Sequence, residues 1–512
     1  MENYKKEGGA RIRATVCERQ IGSELIGDLS LPDYQPEIKR LLRVKATVSP
    51  PDCYVSVGGV ELSGVVDYRI LYAGHDGALY CATHAQDYRF DLPIELPADF
   101  DIGEGLTCDA ETVAEAVAAR VSSPRRLSLR CKLRSDVRTW GTRTVEESLD
   151  AVEESSLERL FGEAVCGEFF GGVSEPFVLG DEILLDSQRK DLRVVSAEGQ
   201  VFVSEAMAGS NCVICRGEVC VKLLCTQDGG DAGASVQLRK LPFSQTVLVD
   251  GCEVNCDCAA HGVCSEVQVN VEEGRIVCDV TCRLQARAQR NRQIRYTRDL
   301  YSTEAEGEPH YTELIMPTAV RCLNGNFSLN KTMTLEEAGV RAGMGVVDVS
   351  MSAGSAALEQ VGGRYVLSGK CRCSLILFDG EEMSAQELEL PYRYEPDPIN
   401  ERISDCLSTV DVVSCRARLD GERISLDAEL AVCAVMRGES RVRMLSEMRF
   451  GDAVPKRSAS YTICYPAKGD SLWSIAKRYH RSVDALSEAN ALNGSPAADS
   501  PDSLSGVVYL LV

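Results

Sequence analysis

Apolar and polar residues alternate with a period of two in three separate segments of the chain. The segments are GVVDYRILYAGHDG (Gly64–Gly77), GEVCVKLLCTQDGG (Gly217–Gly230) and GKCRCSLILFDGEE (Gly369–Glu382). This alternation is typical of a half-buried β-strand, and the glycine of each Asp-Gly pair accepts the positive φ of a tight turn. Each segment is therefore predicted to be a strand that ends in a turn. The turn aspartates are Asp76, Asp228 and Asp379.

The spacing of these segments indicates an internal repeat. Their opening glycines are 153 and 152 residues apart. A second strand pattern recurs in step, because Leu127, Ile276 and Ile424 hold the same place in RRLSLRCKLR, GRIVCDVTCRL and ERISLDAELAV, 149 and 148 residues apart. A period near 150 residues is too long for a solenoid. We therefore expect three mostly β domains arranged as beads, each with its own core.

The last part of the chain, YTICYPAKGDSLWSIAKRYHRSVDALSEANALN, changes to helical spacing. Leu472 and Ile475 lie on one face of a helix predicted over 471–479, with Asp470 as its N-cap. Ser482 is predicted to cap a second, shorter helix. Strands expected before and after these helices complete a small β-α-α-β domain.

The sequence thus predicts a multidomain protein of three mostly β repeated domains followed by a small α+β domain. A polar, proline-containing stretch separates the two parts and reads as a linker. The expected boundaries are 1–145, 146–300 and 301–450 for the β domains, 451–459 for the linker and 460–512 for the last domain.

Composition narrows the class of protein. The 512 residues are 44% hydrophobic and carry a net charge of −22, which disfavours binding to nucleic acid. The N-terminal segment lacks an apolar secretory core, and no stretch approaches the 18 apolar residues of a membrane span. We therefore expect a cytoplasmic protein whose 23 cysteines are reduced thiols.

Two kinds of enzymatic chemistry are disfavoured. Gly469–Leu472 spells the GDSL motif of a serine esterase, but that chemistry needs a histidine base downstream of Ser471. His480 is the only histidine that follows, and it lies too close along the predicted helices to serve. No phosphate-binding loop of the Gly-x4-Gly-Lys type is present. We expect no catalytic residue and no cofactor.

The cysteines of the second β domain leave a zinc site open as an alternative. Ten of them fall between Cys212 and Cys282, and His261 is the only nearby imidazole. A zinc site needs two close pairs brought together. Because the pairs are unevenly spaced and several lie within apolar strands, we favour the interpretation that they are small core residues. No metal is expected.

The C-terminal pattern resembles a LysM domain, in its Gly-Asp-Ser-Leu-Trp-Ser-Ile-Ala turn and helix and in its Val-Asp-x-Leu second helix. The resemblance implies binding of N-acetylglucosamine-containing glycans such as peptidoglycan, through loops at Lys468–Leu472 and Asn490–Asn493. The sequence departs from the family at an insertion over 494–503 and in its last strand. This departure favours a protein partner over a sugar.

Repeated β units that carry a Gly…LYxxxDG pattern before one LysM domain resemble the SPOCS-domain spore-coat morphogenetic proteins of spore-forming Firmicutes. The first unit carries the pattern best, in LPDYQPEIKRLLRVKATV (Leu31–Val48) and ILYAGHDG (Ile70–Gly77). The resemblance implies a scaffold in the mother-cell cytoplasm that is recruited to the forespore surface. There its LysM domain would dock the coat basement-layer ATPase, SpoIVA.

Side chains on the first tail helix suit such docking. Lys477 and Arg481 form either a solvated face or a surface whose charge complements that of a partner. Trp473 is either a core residue or a partly exposed anchor for a partner, and we favour the partly exposed anchor. The candidate residues for binding a partner or a glycan are Lys468, Gly469, Asp470, Ser471, Leu472, Trp473, Lys477, Arg481, Asn490 and Asn493.

Overall fold

The structure is a computed structural model of the chain. It describes residues 10–56, 58–96, 100, 106–145, 148–149, 156–184, 192–227, 234–272, 274–354, 356–455, 462–492 and 497–512. Within these residues the protein is mostly β, with two short α-helices near the C-terminus. The mostly β prediction is confirmed.

The strands fall into three groups along the chain. Residues 10–145, here called unit 1, hold β1 Ala10–Ser30, β2 Ile38–Val48, β3 Asp52–Ser56, β4 Gly59–Gly74, β5 Leu79–Pro93, β6 Thr107–Ser123 and β7 Arg126–Val145. The short β8, Ser148–Leu149, follows. Residues 156–302, unit 2, hold β9 Leu157–Val173, β10 Phe177–Leu184, β11 Leu192–Gly209, β12 Cys212–Gln227, β13 Ser235–Leu248, β14 Asp257–Glu272 and β15 Arg275–Ser302.

Unit 3, residues 305–455, and the tail, residues 462–512, complete the fold. Unit 3 holds β16 Ala305–Thr334, β17 Gly345–Ser352, β18 Ala357–Val361, β19 Arg364–Phe378, β20 Met383–Tyr394, β21 Asp405–Asp420 and β22 Arg423–Ala453. The tail holds β23 Ile463–Cys464, α1 Leu472–Tyr479, α2 Val483–Ala489, a 3₁₀ helix Pro501–Leu504 and β24 Leu510–Leu511. The expected linker thus begins inside β22, and residues 456–461 lie outside the described part.

Each unit contains two sheets whose strands pair antiparallel within the unit, and the short β8 joins the sheet of β22 in parallel. In the sheet that contains the longest strand of each unit, here called the larger sheet, the last strand lies centrally: β7 between β1 and β6, β15 between β14 and the pair β9 and β10, and β22 between β16 and β21. In the smaller sheet the central strands are β4, β12 and β19. That this arrangement arose by duplication stays a prediction.

The three repeat glycines lie within the central strands of the smaller sheets. Each is paired across the sheet with an aromatic residue: Gly64 with Tyr88, Gly217 with Phe243, and Gly369 with Tyr392. A Cβ at Gly64 would come within 2.6 Å of the Tyr88 hydroxyl. Glycine is therefore needed at Gly64 because the Tyr88 ring lies over the strand.

Two of the three predicted Asp-Gly turns are confirmed. Gly77 has φ +79° and Gly380 has φ +100°, in the region that favours glycine. The Asp76 carboxylate accepts the Ala78 amide at 3.1 Å, as an Asx turn requires. The third turn, at Asp228, lies outside the described residues.

The three units are not separate beads. Each has a large core of its own, but a further apolar cluster joins all three. Its members include Ile12 from unit 1, Ala164 and Ile294 from unit 2, and Met316 and Met444 from unit 3. The expectation of independent domains was wrong because strands of different units pack on one another: β15 contacts β16 and β22 of unit 3, and β16 contacts β1 of unit 1 and β9 of unit 2.

Buried charges also join the units. The carboxylate of Asp109 on β6 accepts the Arg287 Nε–H at 2.7 Å and an Arg437 Nη–H at 3.2 Å, so each unit supplies one member. All three side chains are at most 6% exposed. Burial raises the pKa of Asp109, but the charges of Arg287 and Arg437 outweigh it and lower that pKa to about 2.

In a second buried cluster, near the smaller sheets, one carboxylate again pairs with cations from the other two units. Asp348 of unit 3 pairs with Arg43 of unit 1 at 2.5 Å and with Lys222 of unit 2. A buried carboxylate between two cations is stable only while both partners stay in place. The two clusters therefore bind the three units into one body.

Candidate functional site

The tail folds around α1, and its helix begins one residue later than predicted. Ser471, not Asp470, is the N-cap: the Ser471 hydroxyl accepts the Ser474 amide at 3.2 Å, and the Ser474 hydroxyl accepts the Ser471 amide at 2.9 Å. Asp470 instead accepts the Ala467 amide and pairs with Arg478 at 2.8 Å. The predicted Ser482 cap of α2 is confirmed.

The Asn490 side chain joins the end of α2 to the last strand by hydrogen bonds. Its side-chain amide donates to the carbonyls of Leu486 and Leu511, each at 2.8 Å. Its side-chain oxygen accepts the Leu511 amide at 2.7 Å. Since these bonds use both amide hydrogens, Asn490 holds the tail together, and it could contact a ligand only through its remaining lone pair.

The apolar side of α1 packs against unit 2, near the end of β15. Trp473 is only 6% exposed, and its ring meets Tyr301 in a T-shaped contact with centroids 4.9 Å apart. The indole N–H donates to Asp299 at 2.9 Å. The expectation of a partly exposed Trp473 was wrong, because the residues that cover it are about 170 positions away in sequence.

Lys477 also forms an ion pair with a residue of unit 2. Its ammonium lies 2.6 Å from the Asp299 carboxylate, which also accepts the Tyr311 hydroxyl at 3.0 Å. Burial raises the pKa of Asp299, but the bonds from Lys477 and Trp473 outweigh it and hold that pKa below its usual value. Lys477 was expected to carry an exposed charge; instead it forms a half-buried ion pair with Asp299.

Further polar contacts complete the seam between the tail and unit 2. Arg298 pairs with Asp499 at 2.6 Å, and the Tyr301 hydroxyl donates to the Arg481 carbonyl at 2.6 Å. The His480 ring Nδ1 lies 2.8 Å from the Ser302 carbonyl. We call this interface the tail seam; it involves residues 298–302 of β15 and the α1 side of the tail.

Several residues of the tail remain exposed to solvent. Lys468 and Gly469 are exposed, and Gly469 has φ +96°, so the loop turns sharply before α1. Tyr465 is 71% exposed and Tyr509 is 55% exposed; they flank the paired residues of β23 and β24 at one end of that sheet. Arg481 is exposed as well.

Comparison with known families identifies this part of the chain. Residues 467–495 match the LysM domain family. The tail contains a LysM domain. No curated protein and no solved structure matches the chain. Among the described residues no helix is long and apolar enough to cross a membrane.

The predicted binding residues of the LysM domain are thus divided between different roles. Leu472 is 3% exposed and belongs to the domain core, and Ser471 caps α1. Trp473 and Lys477 lie in the tail seam. Of the ten candidates, the loop residues Lys468 and Gly469 and the exposed Arg481 are open to a ligand, while Asn493 lies outside the described residues.

Neither Ser471 nor the cysteines form a recognisable catalytic centre. The Ser471 hydroxyl is committed to the helix cap, and the His480 ring faces Ser302 and Glu306 rather than that serine. All cysteines are free thiols, 15 of them buried. In the described part of the chain no three His, Cys, Asp or Glu side chains are grouped to hold a metal ion.

Sequence reasoning missed the ion clusters that join the units. A signal was present: Asp109, Asp257 and Asp405 are each 148 residues apart, close to the repeat period. Asp405 pairs with Arg138 of unit 1 at 2.5 Å, and Asp257 accepts the Cys322 amide of unit 3, so all three aspartates bind across a unit boundary. Charged residues that recur at the repeat period within apolar strands are candidates for such contacts.

Proposed function

We propose that this chain is a non-enzymatic scaffold of the spore envelope, similar to the clostridial coat protein SipL. In this proposal the three β units are SPOCS-like domains. The LysM domain docks a SpoIVA-like coat ATPase from the mother-cell cytoplasm and so recruits the scaffold to the forespore surface. The resemblance of the repeat and tail motifs supports this assignment.

The observation that carries the proposal is the tail seam. Because Trp473 and Lys477 bind Asp299, the LysM domain is fixed to the body instead of hanging from a flexible linker. The exposed side chains of the fixed domain include Tyr465, Tyr509 and Lys468. Tyrosine is enriched among the residues that contribute most to protein interfaces, so Tyr465 and Tyr509 are the candidates for contact with a partner.

Peptidoglycan binding is the second candidate function. The LysM match favours it, since a LysM domain suggests binding of peptidoglycan or a related carbohydrate. The exposed loop at Lys468 and Gly469 is open to such a ligand. We favour the protein partner because the Asn490 amide is engaged in the fold and two aromatic side chains stand outside the loops expected to bind sugar.

We expect the double substitution Tyr465→Ala and Tyr509→Ala to weaken capture of a SpoIVA-like ATPase at least about tenfold, because loss of a buried aromatic anchor costs about 2 kcal/mol or more. Both side chains are exposed, so the fold is retained. Affinity of the full-length chain for the purified ATPase, measured by biolayer interferometry, checks this.

The matched control is Tyr34→Ala, which removes a tyrosine that is 83% exposed and belongs to unit 1 rather than to the tail. It should bind as the unaltered chain does. Equal loss of affinity in the control, or no loss in the double variant, would rule out the tyrosine surface as the docking site. Point substitutions are preferable to deletion of the tail, since deletion would expose Tyr301 on the body.

A further inference from the structure

Two cysteines of unit 2 face each other across neighbouring strands. Cys264 of β14 is the direct partner of Cys282 of β15 in the antiparallel register. Directly opposite residues of such a pair have Cα atoms about 4.5–5.5 Å apart, and a disulfide accepts Cα separations of about 4.4–6.8 Å. Among the strand pairs that the structure describes, no other cysteine has a cysteine as its direct partner. The backbone therefore holds these two residues at a separation that a disulfide can bridge.

A β-bulge places Cys264 on the core side of its strand. Glu266 and Gln268 are exposed, so a strict period of two would put residue 264 on that exposed face as well. The register shifts at Ser265, and Cys264 is instead only 8% exposed. Bulges commonly redirect a side chain in this way. The bulge therefore brings the Cys264 sulfur to the face that carries Cys282, which is fully buried.

The Cys264 sulfur lies between the two sheets of unit 2. A Cβ at Gly199 of β11, in the smaller sheet, would collide with this sulfur, so the glycine leaves the space that the sulfur occupies. The Cys264 thiol donates to the Glu266 carbonyl at 3.4 Å. Both cysteines of the pair belong to the apolar core of unit 2. Packing therefore holds each sulfur in place.

A small molecule can reach Cys264 from solvent. Cys264 lines a cavity of about 520 Å³ at the boundary of units 1 and 2. Thr83 and Glu266, which are exposed, line the same cavity, so it opens to solvent. Cys282, by contrast, is fully buried. An oxidant that enters the cavity would therefore meet Cys264 first.

The surroundings favour the thiolate form of Cys264 over that of Cys282. A hydrogen bond from Cys282 lowers the pKa of Cys264, as does the charge of Arg69, although burial raises it. The same hydrogen bond raises the pKa of Cys282, and burial adds to this effect. Because the thiolate is the nucleophile, Cys264 is the thiol that attacks first, and Cys282 is the one that completes the bond.

We propose that Cys264 and Cys282 form a modification site at which hydrogen peroxide converts two facing thiols into a disulfide that joins β14 to β15. The Cys264 thiolate attacks one peroxide oxygen, the O–O bond breaks, and Cys264 becomes a sulfenic acid. The hydroxide that leaves takes up the proton that Cys264 gave up on ionising, and forms water. The Cys282 sulfur then attacks the Cys264 sulfur, the S–O bond breaks, and the departing hydroxide takes the Cys282 proton. The two thiols thus lose two electrons, and the peroxide is reduced to two water molecules.

The disulfide would stabilise a strand by which unit 2 packs on the other units. β14 contacts β2 of unit 1 and also β16 and β22 of unit 3. Between the two cysteines lie 17 residues, and closing such a loop restricts the unfolded chain. In reducing solution the pair stays as the two free thiols that the structure shows. We therefore expect β14 to open less readily in the oxidised chain than in the reduced chain.

The test is treatment of the reduced full-length chain with hydrogen peroxide, followed by alkylation of the remaining thiols in denaturant and tandem mass spectrometry of the peptides. We expect peptides joined through Cys264 and Cys282. Alkylation of these two cysteines should fall together by about tenfold or more relative to the buried Cys371, since oxidation follows thiolate character and exposure. Dithiothreitol should restore both thiols, and hydrogen exchange in β14 should be slower in the oxidised chain.

Two variants separate the roles of the two thiols. In Cys282→Ala the attacking thiol has no partner, so a sulfenic acid should persist on Cys264 and react with dimedone, as it should not in the unaltered chain. The matched control Cys278→Ala removes another buried cysteine of β15, on the same face as Cys282, and should still form the disulfide.

The unaltered chain alone decides the outcome. The proposal is wrong if peroxide joins another pair of cysteines in place of Cys264 and Cys282, or if it oxidises Cys264 without joining it to Cys282. It is also wrong if both thiols survive an amount of peroxide that oxidises the exposed Cys53.

Discussion

Replacing Asp109 with alanine is expected to lower the free energy of unfolding by about 3–5 kcal/mol, because it leaves buried cations without their carboxylate. Among the described carboxylates, Arg437 would keep Asp405 at 3.4 Å and Arg287 would keep Glu111 at 3.3 Å. Since the three members of the cluster come from three units, the loss should loosen the whole body rather than one domain.

Urea unfolding monitored by tryptophan fluorescence measures this change. The chain has two tryptophans, and Trp140 reports on the cluster because the Arg437 guanidinium lies 4.7 Å from its ring centroid. A Trp473→Phe background removes the other signal. Asp33→Ala, which changes an exposed carboxylate on unit 1, is the control. Equal midpoints for Asp109→Ala and this control would contradict the role of the cluster.

The pH dependence of this contribution has a definite sign. Because the folded pKa of Asp109 is lowered to about 2, its stabilising effect is present above its ordinary pKa of 3.8 and is lost as pH falls through about 2. The difference in stability between Asp109→Ala and the unaltered chain should therefore shrink only in strong acid.

Trp473→Ala is expected to have the second largest effect, a loss of about 3–5 kcal/mol from the LysM domain and its seam with unit 2. The indole fills the seam against Tyr301 and donates to Asp299. We expect amide protection to fall in α1 and at the end of β15 together. Hydrogen exchange of the full-length chain measures both segments in one experiment.

Two further variants separate packing from charge at the same seam. Trp473→Phe keeps an aromatic ring but loses the N–H bond to Asp299, so its loss should be smaller than that of the alanine variant. Arg481→Ala should change little, because the seam uses only the backbone carbonyl of that residue. If Arg481→Ala released the domain and Trp473→Ala did not, the packing account of the seam would be wrong.

Local pattern was enough to predict many elements of the fold. Gly77 and Gly380 lie in the predicted turns, and Leu472 and Ile475 form the predicted buried face of α1. These features depend on residues within one strand or one helix, where period and turn chemistry determine the outcome. The one-residue error in the α1 cap arose because Asp470 and Ser471 are both good capping residues.

Contacts between distant segments could not be predicted in this way. A tryptophan in this pattern is compatible with a core or with an exposed interface. Trp473 is buried because it contacts Asp299 and Tyr301, which belong to unit 2. The same holds for Asp109, whose partners lie 178 and 328 residues further along the chain. The bead-like arrangement was expected because the repeat pattern contains no information about how one unit packs on the next.

The most direct test of the proposed function is parallel co-sedimentation of the full-length chain with an assembled SpoIVA-like ATPase and with insoluble peptidoglycan. We predict saturable sedimentation with the ATPase, lost on Tyr465→Ala with Tyr509→Ala and retained in Tyr34→Ala, and only background with peptidoglycan. Tight sedimentation with peptidoglycan and none with the ATPase would contradict the account and favour a glycan-binding protein.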